Sequence, residues 1–475
     1  MRPKIHRLLS TQTLAMAILL SLGWLCTSEA QLLPITTRVI TINNLAVAAL
    51  RHPTTPGPKA KIGIFIMHPD GSYVNNVACT QLAGRGYTTL CADSIFLRRG
   101  QDYYGYEQHA PGIASGINFL KNPANVDGIV IEKFIVWGHS VGAPLMAFYQ
   151  NVAENGAAAC QGPEKILPCD ASTLANLPVP DGVILADAHL GAALATFTYV
   201  DPAIKKDTKP GIRNPSLDMF DVSNGYPGDE AAGSPTFKSA TYTDKFKQRF
   251  LEAQANRNAD LLHEAQNIWS DIKAGKSEIY PDDMPFVVPG SDGAARLWQA
   301  DTSLVNCTKR PHIFLTHTGT QNPSPGPICS VRIPSASAED DDSFASVLKV
   351  TVRVWLGAHA LRTNGRYDQT KDDITGIDYD SSATSTASNV KGITKPLLIA
   401  ANSAHYFIRP DEIVYDAAKS TDKTYAITEG AVHGGTPCTQ CAQALGLPPD
   451  YFGDTIKRIY DFMDEWLSQP GRFLP

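Results

Sequence analysis

The sequence predicts an α/β fold, a mainly parallel sheet with helices on both faces, carrying a large α+β cap. Three observations carry that prediction. From Lys61 onward, short apolar runs alternate with amphipathic stretches, the rhythm of strands joined by crossover helices. The pentapeptide Gly138-His139-Ser140-Val141-Gly142 lies between an apolar run and a helical pattern. About 200 residues, 191–392, then break the rhythm before it resumes.

Taken in order, the chain opens on a predicted signal peptide, residues 1–30. Arg2, Lys4 and Arg7 precede an apolar core at 14–26 that is too short to span a bilayer comfortably. Ser28-Glu29-Ala30 places small residues where a signal peptidase reads. The expected mature protein is exported, secreted or periplasmic, with no membrane span. Removing three basic residues and one acidic one takes the formal charge from −6 to −8, which argues against a nucleic-acid surface.

Residues 61–67 read as a strand, 75–86 as a helix and 87–91 as a strand. Residues 112–120 read as a short helix, 128–137 as a buried strand, 144–149 as the next helix and 182–186 as a strand. The rhythm returns with a strand at 395–401, a helix at 410–419, a strand at 424–428 and a closing amphipathic helix at 454–467. This gives a core of residues 31–190 and 393–475, interrupted by a cap at 191–392. Within the cap, 243–276 reads as one or two helices, 312–316 and 348–356 as strands, and the Ser/Thr/Asp-rich 378–389 as a linker. The acidic clusters at 339–342 and 368–380 lack the spacing of a calcium loop and read as solvated loops.

Eight cysteines remain after export, an even number suited to disulfides in an oxidising compartment. Cys160 with Cys169, and Cys307 with Cys329, would close short loops. Cys438-Thr-Gln-Cys441 reads as a local staple rather than a redox pair, because no strand precedes it in the required context.

A G-x-S-x-G run leaving a buried strand and opening a helix has a mechanical meaning. The turn is so sharp that the serine is strained and its flanks must lack Cβ atoms. On this motif and the strand rhythm, the chain resembles the α/β-hydrolase superfamily of secreted serine esterases and lipases. The resemblance covers roughly residues 60–190 and 395–470. It implies a nucleophile at Ser140 and a general base in the loop after the last strand, where His433 stands. His139 is expected to point into the scaffold.

The acid that orients the base has two possible slots. The loop at 402–409 holds no carboxylate, which favours Asp187 at the end of the strand after the elbow. Glu412, and behind it Asp411, are the alternatives. The oxyanion donors implied are the Val141 amide and, since Pro69 has no N–H, the Asp70 amide. His189 and His405 are expected near the same cleft or in packing roles.

The resulting expectation is an exported serine hydrolase cleaving a carboxylic ester through an acyl-enzyme. No metal or organic cofactor is expected, and the partner would be a small-molecule or lipid-like ester. A serine peptidase, an acyltransferase and a non-catalytic binding protein on the same fold are the alternatives.

Overall fold

A computed structural model describes residues 32–97, 105–229, 232–293, 296–337 and 346–475. The signal-peptide segment 1–30 and the acidic run 339–342 lie outside the described residues.

In the amino-terminal half the strands are β1 (Ile35–Ile40), β2 (Leu45–Pro53), β3 (Ile62–His68), β4 (Thr88–Ser94), β5 (Lys133–Ser140) and β6 (Gly182–Ala188). The middle of the chain supplies β7 (Pro285–Pro289), β8 (Ile313–Thr316), β9 (Gly319–Gln321), β10 (Val347–Thr351), β11 (Arg362–Gln369) and β12 (Ile374–Asp378). The last two are β13 (Leu397–Asn402) and β14 (Lys423–Thr428). Ten of these form one sheet, in the order β1-β2-β4-β3-β5-β6-β13-β14-β8-β9. From β4 to β8 the neighbours run parallel, while β1, β2 and β9 pair antiparallel at the edges.

The central strands are apolar on both faces because both are covered. On one face Phe65, Val136, Leu185 and Ile399 pack with helices α2 (Ala110–Leu120) and α3 (Gly142–Asn155). On the other, Ile64, Ile66, Trp137, Ile184 and Leu398 meet residues of α1 (Val77–Gly84) and of the closing helix Thr455–Leu467. The expected α/β architecture is therefore present.

The cap expected at 191–392 does not stand apart from the sheet. β8 pairs with β14, extending the sheet beyond its last core strand. The larger hydrophobic core runs without a break from Val136 to Phe246, Phe250 and Trp298. Two small antiparallel sheets, β7 with β10 and β11 with β12, are built from the same stretch. The pattern at 243–276 forms a single helix, α5 (Asp244–Lys273), following α4 (Ala192–Tyr199). Its start is fixed by Thr243, whose side chain accepts from the Phe246 amide.

Three segments differ from expectation. The hairpin β1–β2 has no counterpart in the rhythm starting at Lys61. Its outer strand is only half-buried, so its apolar signal is weak. The run at 348–356 is a strand only to Thr351, where the threonine hydroxyl accepts from the Val354 amide and starts a helical turn. The Ser/Thr-rich 378–389 is not a linker but buried wall. Its hydroxyls satisfy backbone carbonyls instead of water, Thr384 Oγ1 donating to Ala358 O and Thr386 Oγ1 to His189 O, both at 2.7 Å.

Candidate active site

β5 ends at the centre of the sheet, and Ser140 is its last residue. Its φ is +55°, a left-handed backbone that costs a non-glycine residue of order 1–3 kcal/mol. The flanking glycines are required sterically. A Cβ on Gly138 would lie 2.1 Å from the Gly142 carbonyl oxygen, and one on Gly142 would lie 2.9 Å from the Met67 carbonyl oxygen. The turn can close only because both are bare.

On the neighbouring strand β6, Asp187 also has positive φ, +43°, and is 1% exposed. The loop after β14 brings in His433. Its Nδ1 lies 2.5 Å from Asp187 Oδ2, and its side chain is 35% exposed. Among the described residues neither the Ser140 hydroxyl nor His433 Nε2 makes a hydrogen bond.

Asp187 carries more than one partner. The Asn402 amide donates to its Oδ1 at 3.1 Å. His405 Nδ1 lies 2.8 Å from the same Oδ2 that faces His433, but out of line for a hydrogen bond. Burial alone would raise the Asp187 carboxyl; His405 and His433 together hold it well below the usual carboxylate range. His405 itself is driven down to about 4 by burial, against the pull of Asp187, so its ring is neutral near pH 7.

The imidazole of His433 sits between two others. His139 lies on one side at 4.4 Å between ring centroids and His405 on the other at 4.3 Å. His139 is neutral as well, pushed to about 3 chiefly by burial. The Tyr73 hydroxyl donates to His139 Nδ1 at 2.6 Å, which leaves His139 Nε2–H to donate to the His433 carbonyl at 2.8 Å. Asn402 Nδ2 donates to the Val432 carbonyl at 2.9 Å. The residue beside Ser140 therefore grips the backbone of His433.

Glu412 and Asp411 are placed elsewhere. Glu412 is fully buried in a separate cluster with His312 at 2.7 Å, the Lys309 amide at 2.7 Å and Arg409 at 2.5 Å. Asp411 accepts from the Ala188 amide at 3.1 and 3.2 Å, behind Asp187. Burial, reinforced by the charge of Asp187, raises its carboxyl well above the ordinary value. Neither is a hydrogen-bond partner of His433.

The expected second oxyanion donor, the Asp70 amide, is already engaged. The Asp70 N–H points at His68 Nδ1 (3.3 Å), and the Gly71 N–H does so more closely (2.7 Å). With both amides turned inward, the Asp70 amide is a poor second donor. His68 Nδ1 also lies 2.8 Å from Asp70 Oδ1. The His68 ring lies against the elbow, its Cδ2 3.4 Å from where a Gly142 Cβ would stand.

His139, Asp187 and His433 offer ligand atoms within 4.8 Å of one another, compact enough for an ion. Both nitrogens of His139 are already hydrogen-bonded within the protein, which suits the group to proton handling rather than metal ligation. All eight cysteines at 79–441 are paired: Cys79–Cys91, Cys160–Cys169, Cys307–Cys329 and Cys438–Cys441. The last clamps the segment just after His433. Among the described residues no helix is long and apolar enough to cross a membrane.

No family model matches this sequence, and no curated protein matches it. Among solved structures it is similar to a hypothetical protein from Pseudomonas aeruginosa, at 13% identity and a TM-score of 0.39, covering 91% of this chain and 94% of that one. It is similar to proline iminopeptidase from Mycobacterium smegmatis at 11% identity and a TM-score of 0.34, covering 90% and 99%. It is also similar to carboxyl esterase 2 from the fungus Tuber melanosporum at 8% identity and a TM-score of 0.35, covering 91% and 86%.

Proposed function

We propose that this chain, an α/β hydrolase in its parallel sheet and its strand–elbow–helix turn, is an exported serine hydrolase that cleaves a carboxylic ester. The observation that carries the reading is the 2.5 Å contact between His433 Nδ1 and the buried Asp187, at the carboxyl ends of the central strands where Ser140 is held at positive φ.

In this reading Ser140 Oγ attacks the ester carbonyl and passes its proton to His433 Nε2. Asp187 holds the ring with its Nδ1 protonated and stabilises the imidazolium. The oxyanion receives the Val141 amide and, in place of the Asp70 amide, His68 Nε2–H. Collapse expels the alcohol, which takes the proton from His433. Water then adds to the acyl-enzyme with His433 again as base, releasing the acid and restoring Ser140. Four disulfide pairs support an extracytoplasmic location, as does the apolar amino-terminal segment.

A fluorophosphonate probe should label the mature protein once, and Ser140→Ala should abolish the label. The same preparation should hydrolyse p-nitrophenyl esters faster than aminoacyl anilides. Absence of labelling in the intact protein would reject serine catalysis, while faster anilide turnover would make it a peptidase.

A further inference from the structure

One buried hydroxyl beside the candidate triad takes no part in the chemistry proposed above. Tyr73 is 8% exposed and lies in the loop after β3. That loop is wound around Asp93, near the end of β4, a carboxylate only 4% exposed. Asp93 Oδ1 accepts from the amides of Tyr73 at 2.6 Å and Val74 at 3.0 Å, and its Oδ2 accepts from Ser72 Oγ at 2.8 Å. The Tyr73 ring then stacks on His68, with centroids 4.7 Å apart and planes 11° from parallel. Backbone and ring are both anchored, so the hydroxyl points in a set direction.

Other buried tyrosines in this chain direct their hydroxyls at backbone carbonyls. Tyr149 donates to Pro178 O at 3.0 Å, Tyr242 to Met219 O at 2.7 Å and Tyr425 to Ile408 O at 2.6 Å. Such contacts satisfy a buried phenol and imply nothing more. Tyr73 instead donates to an imidazole, His139 Nδ1, at 2.6 Å. Burial first, and Asp70 second, push the Tyr73 phenol well above its ordinary value, so it stays a neutral donor.

The protons along this line have one consistent arrangement. His139 Nε2 lies 2.8 Å from the His433 carbonyl oxygen, which can only accept. Nε2 therefore carries the proton of the neutral ring, Nδ1 carries a lone pair, and the Tyr73 hydroxyl donates to it. Without that hydroxyl the buried Nδ1 has no partner among the described residues, and the ring loses the contact that selects this tautomer. The carbonyl so held belongs to the residue whose ring must reach Ser140. Its other side-chain donor is Asn402 Nδ2, at 3.3 Å, and the two residues that follow it are Gly434 and Gly435.

We infer that Tyr73 is a positioning residue for catalysis: its hydroxyl, acting through His139, fixes the backbone of His433 and so the reach of that imidazole towards Ser140. The inference rests on the serine-hydrolase reading of the same site and adds a coupling to it. Because the Tyr73 ring also lies on His68, the loop that offers the oxyanion donor and the loop that carries the base are joined through one side chain. A misplacement of about 1 Å between reacting groups costs about 10²-fold in rate, so a partial loosening of this link is readable in kcat.

Tyr73→Phe removes the hydroxyl and keeps the ring on His68. With p-nitrophenyl butyrate it should lower kcat by about 20-fold and leave KM within about twofold. His139→Phe should lower kcat as well. Adding Tyr73→Phe in that background should cost less than about threefold more, because the hydroxyl acts through the imidazole. A kcat in Tyr73→Phe within about threefold of the native value, a loss confined to KM, or an equal loss in both backgrounds overturns the inference.

A second readout does not need turnover. In Ser140→Ala carrying isotope-labelled histidine, NMR near pH 7 should show His139 protonated on Nε2. Tyr73→Phe in the same background should shift or broaden the ring signals of His433, although Tyr73 bonds to His139 and not to that ring. His139 protonated on Nδ1, or His433 signals that do not move, overturns the inference even if esters are cleaved. A native protein that neither labels with fluorophosphonate nor cleaves esters rejects the hydrolase reading and the inference with it. A labelled, active protein indifferent to Tyr73→Phe rejects the inference alone.

Discussion

Replacing Asp187 with asparagine is the sharpest perturbation of the candidate triad, because the surroundings dictate how the new side chain must sit. The Asn402 amide donates to Oδ1 at 3.1 Å from a buried position, so the asparagine carbonyl oxygen must take that place. Flipping the amide would set two N–H groups against each other, at about 1–3 kcal/mol for the unsatisfied donor. The asparagine NH2 therefore falls where Oδ2 was, facing His433 Nδ1 at the 2.5 Å contact. Facing a donor, Nδ1 must become the acceptor and the ring proton moves to Nε2. That tautomer cannot accept the proton of Ser140. A wrong-tautomer substitution of this kind costs about 10⁴-fold in kcat, or about 5.5 kcal/mol of barrier. Steady-state hydrolysis of a p-nitrophenyl ester reads the loss, and the rate of fluorophosphonate labelling should fall in parallel. A decrease of under about tenfold would refute the assignment of Asp187 as the orienting acid.

Three further outcomes follow from the same geometry. His68→Ala should lower kcat by about 10²–10³ with KM little changed, whereas Asp70→Asn, which keeps the amide and alters only the side chain, should have a far smaller effect on kcat. Gly138→Ala should destabilise the protein by at least about 2 kcal/mol in denaturant titration, because the new Cβ meets backbone at 2.1 Å rather than a movable side chain. Asp411→Asn should raise Tm at pH 8 and leave it nearly unchanged at pH 4. Its carboxyl is raised in the folded state, so the folded protein holds the proton that the unfolded chain releases; stability is fully present below the unfolded value of about 3.9 and drains away as pH rises towards the folded one. A Tm gain that is equal at both pH values would contradict that protonation state.

Much of the candidate site was legible because it depends on local covalent constraints. The elbow follows from two glycines around a serine between a strand and a helix, and the positive φ of Ser140 is what that spacing demands. The loop position of His433 follows from being just past the last parallel strand. Even the choice of Asp187 came from a local fact, the lack of an acid at 402–409. The cap was less legible. Its strands β8 and β9 join the main sheet, and a Ser/Thr-rich stretch that resembles a linker is buried, because its hydroxyls find carbonyl partners far away in sequence.

Local chain geometry was thus determined by the sequence alone: where the backbone must bend sharply, which residues alternate between two covered faces, and which loops hang from the strand ends. Only tertiary structure decided the contacts between groups far apart in the chain, since each is a balance of burial against charge and hydrogen bonding that no spacing encodes. Among these are two imidazoles flanking the ring of His433, a carboxyl at Asp411 raised by burial and by the charge of Asp187, and a guanidinium at Arg296 buried over the Tyr199 ring. The physical reason is that bond geometry acts over a few residues, whereas desolvation depends on everything that folds around a group.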